Sequence, residues 1–141
     1  MATVSASETV RRHFGTFAGG GLEEAAKLWD PEIEWRAIEG ALDDVGVIRG
    51  HDAMWRYYAE WVETIEDLRA DVEILFEDDE VVAALIRNSG RGRVSGVPAA
   101  GAYYVACLVR DGRLVAGREY ASRQEAIAAA ERLRDAGEPR A

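Results

Sequence analysis

The feature that most constrains this chain is a change of hydrophobic period near residue 65. In the stretch His51–Ile65, the residues Met54, Tyr58, Trp61 and Ile65 follow at helical spacing and share one face. Beyond it the period becomes two. Leu68–Glu77, Val81–Arg91, Ala102–Val109 and Arg113–Tyr120 read as strands, with turn signals at Asp78-Asp79, between Gly90 and Gly101, and at Asp111-Gly112. Consecutive strands joined by short turns make an antiparallel meander.

Upstream the pattern is helical. Ser5-x-x-Glu8 has the form of a capping box, and Val10, Phe14 and Phe17 then mark a first helix running to about Ala18. Gly19-Gly20-Gly21 breaks it. Leu22, Ala25, Ala26, Leu28 and Trp29 outline a second short helix that Asp30-Pro31 stops, which makes a helical hairpin. Ile33–Arg36 reads as a short strand, and Ala37–Gly46 as a loop without regular period. At the other end, Ser122-x-x-Glu125 opens a last helix over Arg123–Arg134 that presents Ala126, Ile127, Ala130 and Leu133, and Gly137–Ala141 reads as a frayed tail.

Helices first and strands afterwards predict an α+β domain: a curved, mostly antiparallel sheet wrapped around the helical hairpin and the third helix. Such a cone has a natural cavity at its mouth. The 141 residues suit one domain spanning 1–141, with its core at about 8–130. A formal net charge of −9 repels phosphate backbones and anionic lipid surfaces, so neither nucleic acid nor membrane is an expected partner. The lone Cys107 cannot form an intrachain disulfide, and neither a secretory leader nor a membrane span is legible. A cytoplasmic location is the expectation.

Four segments, taken in order, carry a resemblance: ETVRRHFGTFAGGGLEEAAKLWDPEIEW, IRGHDAMWRYYAEW, VVAALIRNSGRGRVSG and LVRDGRLVAGREYASRQEAIAAA. Over Glu8 to Ala130 the chain resembles the nuclear transport factor 2-like superfamily, and within it the SnoaL-like branch of polyketide cyclases and their relatives. The resemblance implies the cone-shaped fold. It does not imply one reaction, because the superfamily holds ketosteroid isomerases, epoxide hydrolases, cyclases, dehydratases and inactive binding domains. At the positions where the isomerases carry a tyrosine, an aspartate base and an aspartic acid, this chain has His13, Ala37 and Tyr104, or Val105 if the register shifts. The isomerase base is therefore missing. For the arginine and carboxylates of the hydrolases the chain offers Arg87 and Glu119.

Glu119 is the main candidate, because a carboxylate inside the apolar strand of Arg118-Glu119-Tyr120 must be paired, hydrogen-bonded or chemically employed. With a two-residue turn at Asp111-Gly112, Leu108 would face Val115, Ala106 would face Gly117 and Tyr104 would face Glu119; a bulge would change those pairs. The resemblance sends Glu119 inward, together with Ala83, Leu85 and Arg87 of the neighbouring strand. Arg87 is then the expected partner of Glu119, either as a structural ion pair or as part of a ligand anchor. His13 lies close to the apolar face of its helix, where a core histidine and a proton shuttle are both open. His51 reads as a helix-entry residue. Trp35 and Tyr58 are the aromatic candidates for the pocket wall, with Leu85, Ala106 and Gly117 beside them. Asp43, Asp44 and Asp78-Asp79-Glu80 read as solvated charges without the spacing of a metal site.

Two functions follow. One is a pocket protein for a small hydrophobic, cyclic ligand bearing oxygen functions, with no cofactor required. In its catalytic form Glu119 is acid or base, Arg87 orients substrate, and Tyr104 or His13 donates a hydrogen bond. The other is a non-catalytic dimerisation or partner-binding module whose cone is filled by its own side chains. In either case a homodimer through the open face of the sheet is expected.

Overall fold

The computed structural model describes residues 5–19, 21–40 and 46–137; Gly20, Asp43, Asp44 and the tail beyond Gly137 lie outside the described residues. The elements run α1 (Ala6–Ala18), α2 (Leu22–Ala26), β1 (Trp29–Arg36), β2 (Val47–Arg49), α3 (Gly50–Thr64), β3 (Ile65–Asp78), β4 (Val81–Gly92), β5 (Pro98–Arg110), β6 (Arg113–Tyr120) and α4 (Arg123–Gly137). Both expected helix starts carry caps: Ser5 Oγ accepts from the Glu8 amide and Ser122 Oγ from the Glu125 amide, each at 3.2 Å. No helix among the described residues is long and apolar enough to cross a membrane.

The six strands lie in the order β2-β1-β6-β5-β4-β3. All neighbours are antiparallel except β1 and β6, which run parallel. An α+β cone with a curved, mostly antiparallel sheet is thus the observed architecture. Several boundaries differ from the periodicity. Trp29 belongs to β1 rather than to the second helix, and the ladder register shifts between Trp29 and Glu34. Pro31 falls inside that shift, where its missing N–H costs no ladder bond. The three-residue β2 is too short to show a period. β4 and β5 run on to an Arg91–Pro98 pair, so much of the glycine-rich segment read as a turn is strand.

The sheet is apolar on both faces where the helices cover it. On the inner face, Val82, Ala84 and Ile86 of β4 and Val105, Cys107 and Val109 of β5 pack with Val10, Phe14 and Phe17 of α1, with Trp29 and Trp35, and with Tyr58 of α3. On the outer face, Ala83 and Ala106 meet Ala126, Ala129 and Ala130 of α4. Small side chains let that helix approach closely. The face expected to be open for a second copy therefore carries α4 over β4 and β5.

One residue decides the register of the last hairpin. Asp111 (φ 53°) and Gly112 (φ 74°) form the two-residue turn between paired Arg110 and Arg113, as expected from Asp-Gly. Next to it, however, Val109 opposes Leu114 whereas Leu108 opposes Ala116. Val115 is the extra residue of a β-bulge. Every later pair slips by one, so Tyr104 opposes Tyr120, Val105 opposes Glu119 and Cys107 opposes Gly117. Because side chains alternate, Glu119 shares the inner face with Val105 and Cys107, not with Tyr104 and Ala106.

Candidate functional site

A cavity of about 280 Å³ opens between the inner face of the sheet and helices α1 and α3. Its wall is largely apolar: Phe17, Ile38, Trp61, Ile65, Leu68 and the small residues Ala99–Ala102 contribute most of it. The polar groups are few. Tyr57, Tyr58, Asn88, Tyr103 and Glu119 reach it from α3, β4, β5 and β6.

Glu119 is buried, with 8% of its surface exposed. Trp35 Nε1–H donates to its Oε2 at 2.8 Å, and the Tyr57 hydroxyl donates to the same oxygen at 3.3 Å. Hydrogen bonds to the charged form offset the desolvation of a buried carboxylate. Trp35 reaches Glu119 because Gly117 has no side chain: a Cβ there would fall on the six-membered ring of the indole. Glycine at 117 therefore seats the tryptophan, and the tryptophan holds the carboxylate.

A second chain of hydrogen bonds runs from Trp29 through His13 to Tyr58, which lines the cavity. Trp29 Nε1 is 3.1 Å from His13 Nδ1, and His13 Nε2 is 3.2 Å from the Tyr58 hydroxyl. His13 is fully buried, and burial lowers its pKa to about 3. The imidazole is therefore neutral near pH 7. Burial, followed by neighbours that include Glu119, pushes the Tyr58 and Tyr103 phenols well above their usual value. The Cys107 thiol is pushed to about 12, by burial and then by the Glu119 charge. Asn88 Oδ1 is buried and has no hydrogen-bond partner among the described residues.

The candidates from the sequence separate into two groups. Glu119 and Tyr58 line the cavity; His13 and Trp35 stand directly behind those two. Arg87, Tyr104, Leu85 and Ala106 lie on the other face. Leu85 opposes Tyr104, Ala83 opposes Ala106 and Arg87 opposes Ala102, so the expected alternation is present but points away from the cavity. Arg87 is more than half exposed and pairs with Glu73 at 3.9 Å, which corrects its expected partnership with Glu119. Tyr104 and Leu85 likewise do not line the cavity, and Ala106 borders a separate depression beside α4. Gly117 is on the inner face with Glu119, but the Trp35 ring covers it and it does not line the cavity. The bulge at Val115 puts Glu119 on the face opposite to that of Tyr104 and Ala106. His51 sits at the entry of α3, with Nε2 3.0 Å from the Trp29 carbonyl.

Two residues of the site, Trp29 and Asn88, are not singled out from the sequence, and Tyr57 is grouped there with the aromatics near the cavity without being chosen for its wall. Tyr57 lies off the helical stripe of Tyr58, yet reaches Glu119 because two neighbouring helix positions can flank one cavity edge. Trp29 continues the period of the second helix in the sequence but starts β1 in the structure. Asn88 did carry a signal, as a polar amide following the apolar run Val81–Ile86 of β4. Among the described residues no three His, Cys, Asp or Glu side chains converge as a metal-binding set.

A cone with a partly open apolar cavity and a buried carboxylate in its wall defines a class of small pocket domains. Residues 10–117 match the SnoaL-like domain family, and the chain belongs to it. None of the curated proteins matches. Solved structures do. An NTF2-like protein from Burkholderia xenovorans is 20% identical over 92% of this chain and 98% of its own, with a TM-score of 0.67. A Jannaschia protein assigned as a SnoaL-like polyketide cyclase is 17% identical over 92% and 94%, with a TM-score of 0.69. A Mycobacterium tuberculosis protein crystallised with estradiol-17β-hemisuccinate is 12% identical over 87% and 97%, with a TM-score of 0.73. At such identities the likeness is one of fold.

Proposed function

We propose that this chain binds a small, apolar, ring-containing molecule with oxygen functions in the cavity, and that Glu119 is its polar anchor. The observation that carries this reading is the buried carboxylate held by Trp35 and Tyr57 at the edge of a largely apolar cavity of about 280 Å³. The steroid derivative bound by the Mycobacterium tuberculosis protein belongs to the same chemical class. In a catalytic form of the reading, Glu119 takes a proton from a carbon next to a ligand carbonyl and returns it to another carbon, which is an isomerisation; cyclisation and hydrolysis are the neighbouring reaction types. Arg87 has no part in it. The cavity counts against the rival reading of a non-catalytic module whose cone is filled by its own side chains. A lone buried thiol at Cys107 suits a reducing compartment, consistent with action in the cytoplasm.

Native mass spectrometry of the purified protein and a thermal-shift screen with steroids, terpenes and aromatic polyketides test the proposal. A ligand at a hundred times its Kd stabilises by about 2.7 kcal/mol, or roughly 9 °C for a chain of this size. Glu119→Gln should weaken that shift. If no compound shifts the wild type and Glu119→Gln behaves identically throughout, the proposal fails.

A further inference from the structure

The buried histidine has a determined tautomer, and this sets the polarity of the cavity wall. An indole N–H can only donate, so His13 Nδ1 must accept the bond from Trp29 at 3.1 Å. A neutral imidazole then carries its proton on Nε2. That N–H points at the Tyr58 oxygen 3.2 Å away, so the hydroxyl is the acceptor in this bond. The Tyr58 proton is left to find another acceptor. His13 is the one hydrogen-bond partner of the Tyr58 hydroxyl among the described residues, and Tyr58 lines the cavity that Glu119 also lines.

We infer that Trp29 and His13 are positioning residues which make Tyr58 a one-way hydrogen-bond donor into the cavity, so that the pocket selects ligands with a carbonyl or enolate oxygen at that point. The inference rests on the cavity being a ligand site. It assigns the neighbouring walls opposite roles: Tyr58 presents a proton, and Glu119 presents a carboxylate. The high pKa of Tyr58 keeps that proton in place through the working pH range, and the low pKa of His13 keeps the ring neutral. Were His13 to carry its proton on Nδ1, the bond from Trp29 would be lost and Tyr58 would have to donate to Nε2. The order of the relay is therefore set at its buried end, at an indole that does not touch the ligand.

Two measurements test this separately. In long-range 1H–15N spectra of the labelled wild type, assigned by the signal missing from His13→Gln, His13 should show Nδ1 without a proton and Nε2 with one from pH 5 to 8. The opposite tautomer, or a ring that titrates in that range, overturns the relay. The second measurement compares 1-tetralone with tetralin, which has nearly the same shape but no carbonyl. Wild type should bind the ketone at least about fivefold more tightly, because tetralin leaves the hydroxyl unpaired. In Tyr58→Phe the ratio should fall to near one. Trp29→Phe should let the Nδ1–H tautomer appear and reduce the preference for ketone, whereas Tyr58→Phe leaves the indole bond in place. Equal affinity of the wild type for both compounds overturns the donor role. If neither compound binds, the pocket reading is what fails for ligands of this size, and the nitrogen spectra alone uphold or overturn the relay.

Discussion

Adding one methyl group at Gly117 should be among the most damaging small changes in this protein. The new Cβ would overlap the Trp35 ring. That ring cannot retreat, because Trp35 is fully buried and packs near Phe14, His13 and Tyr58 at centroid distances of 5.7–6.2 Å. Overpacking of this kind costs about 1–3 kcal/mol. A displaced indole also gives up its 2.8 Å bond to Glu119, and a hydrogen bond to a charged group contributes about 1.5–3 kcal/mol. The two effects share one side chain and do not simply add, so the expected loss is about 2–5 kcal/mol. With an unfolding entropy of about 2.1 cal/mol/K per residue, 141 residues lose roughly 3 °C of Tm per kcal/mol. Gly117→Ala should therefore melt about 7–17 °C below wild type by circular dichroism. The control is Gly15→Ala, which adds the same atoms in mid-helix, where a Cβ meets nothing within 4 Å. That variant should gain about 0.5–1 kcal/mol and melt slightly higher. A Gly117→Ala protein that melts within 2 °C of Gly15→Ala would refute the account of how Trp35 and Glu119 are held.

The remaining predictions concern other links. Because burial lowers the folded pKa of His13 from 6.5 to about 3, the unfolded chain binds one more proton in between; stability should fall as pH drops from about 6.5 toward 3, by up to about 1.4 kcal/mol per unit from this residue. Denaturant titrations at several pH values should show a slope smaller by that amount in His13→Gln, and equal slopes would count against it. With its thiol pushed to about 12, Cys107 should resist an aromatic disulfide reagent at pH 8 until the chain is unfolded; rapid labelling of the native protein would contradict its buried placement. Gly112→Ala should cost about 1–2 kcal/mol through its left-handed backbone (φ 74°), read from denaturant midpoints, and no change in midpoint would speak against the turn. The homodimer is tested by molar mass in solution: twice the 15.5 kDa chain supports it, and one chain's mass retires it.

Much of the fold was legible because it rests on local signals. The change of period places α3 and the meander, Asp111-Gly112 makes the last hairpin, and Ser5 and Ser122 start their helices. These are short-range effects of backbone geometry and side-chain period, which few neighbouring residues suffice to set. Glu119 could be marked for the same reason, since a carboxylate in an apolar strand breaks the local pattern.

The partners of Glu119 were a different matter. Arg87 is the expected partner because alternation groups it with Ala83 and Leu85 and the resemblance sends that group inward, but alternation says which residues share a face, not which face it is. The bulge at Val115 leaves the Asp-Gly turn intact and slips every later pair by one residue, and α4 then covers the face that holds Tyr104, Leu85 and Ala106. Trp35, Tyr57 and Trp29 meet Glu119 and His13 across separations of 84, 62 and 16 residues. The sequence by itself determined an α+β chain with a carboxylate in an apolar strand that needs a partner. Only the tertiary structure decided that the donors are an indole and a phenol rather than a guanidinium, because the pairing depends on strand register and chain closure, and no local pattern records either.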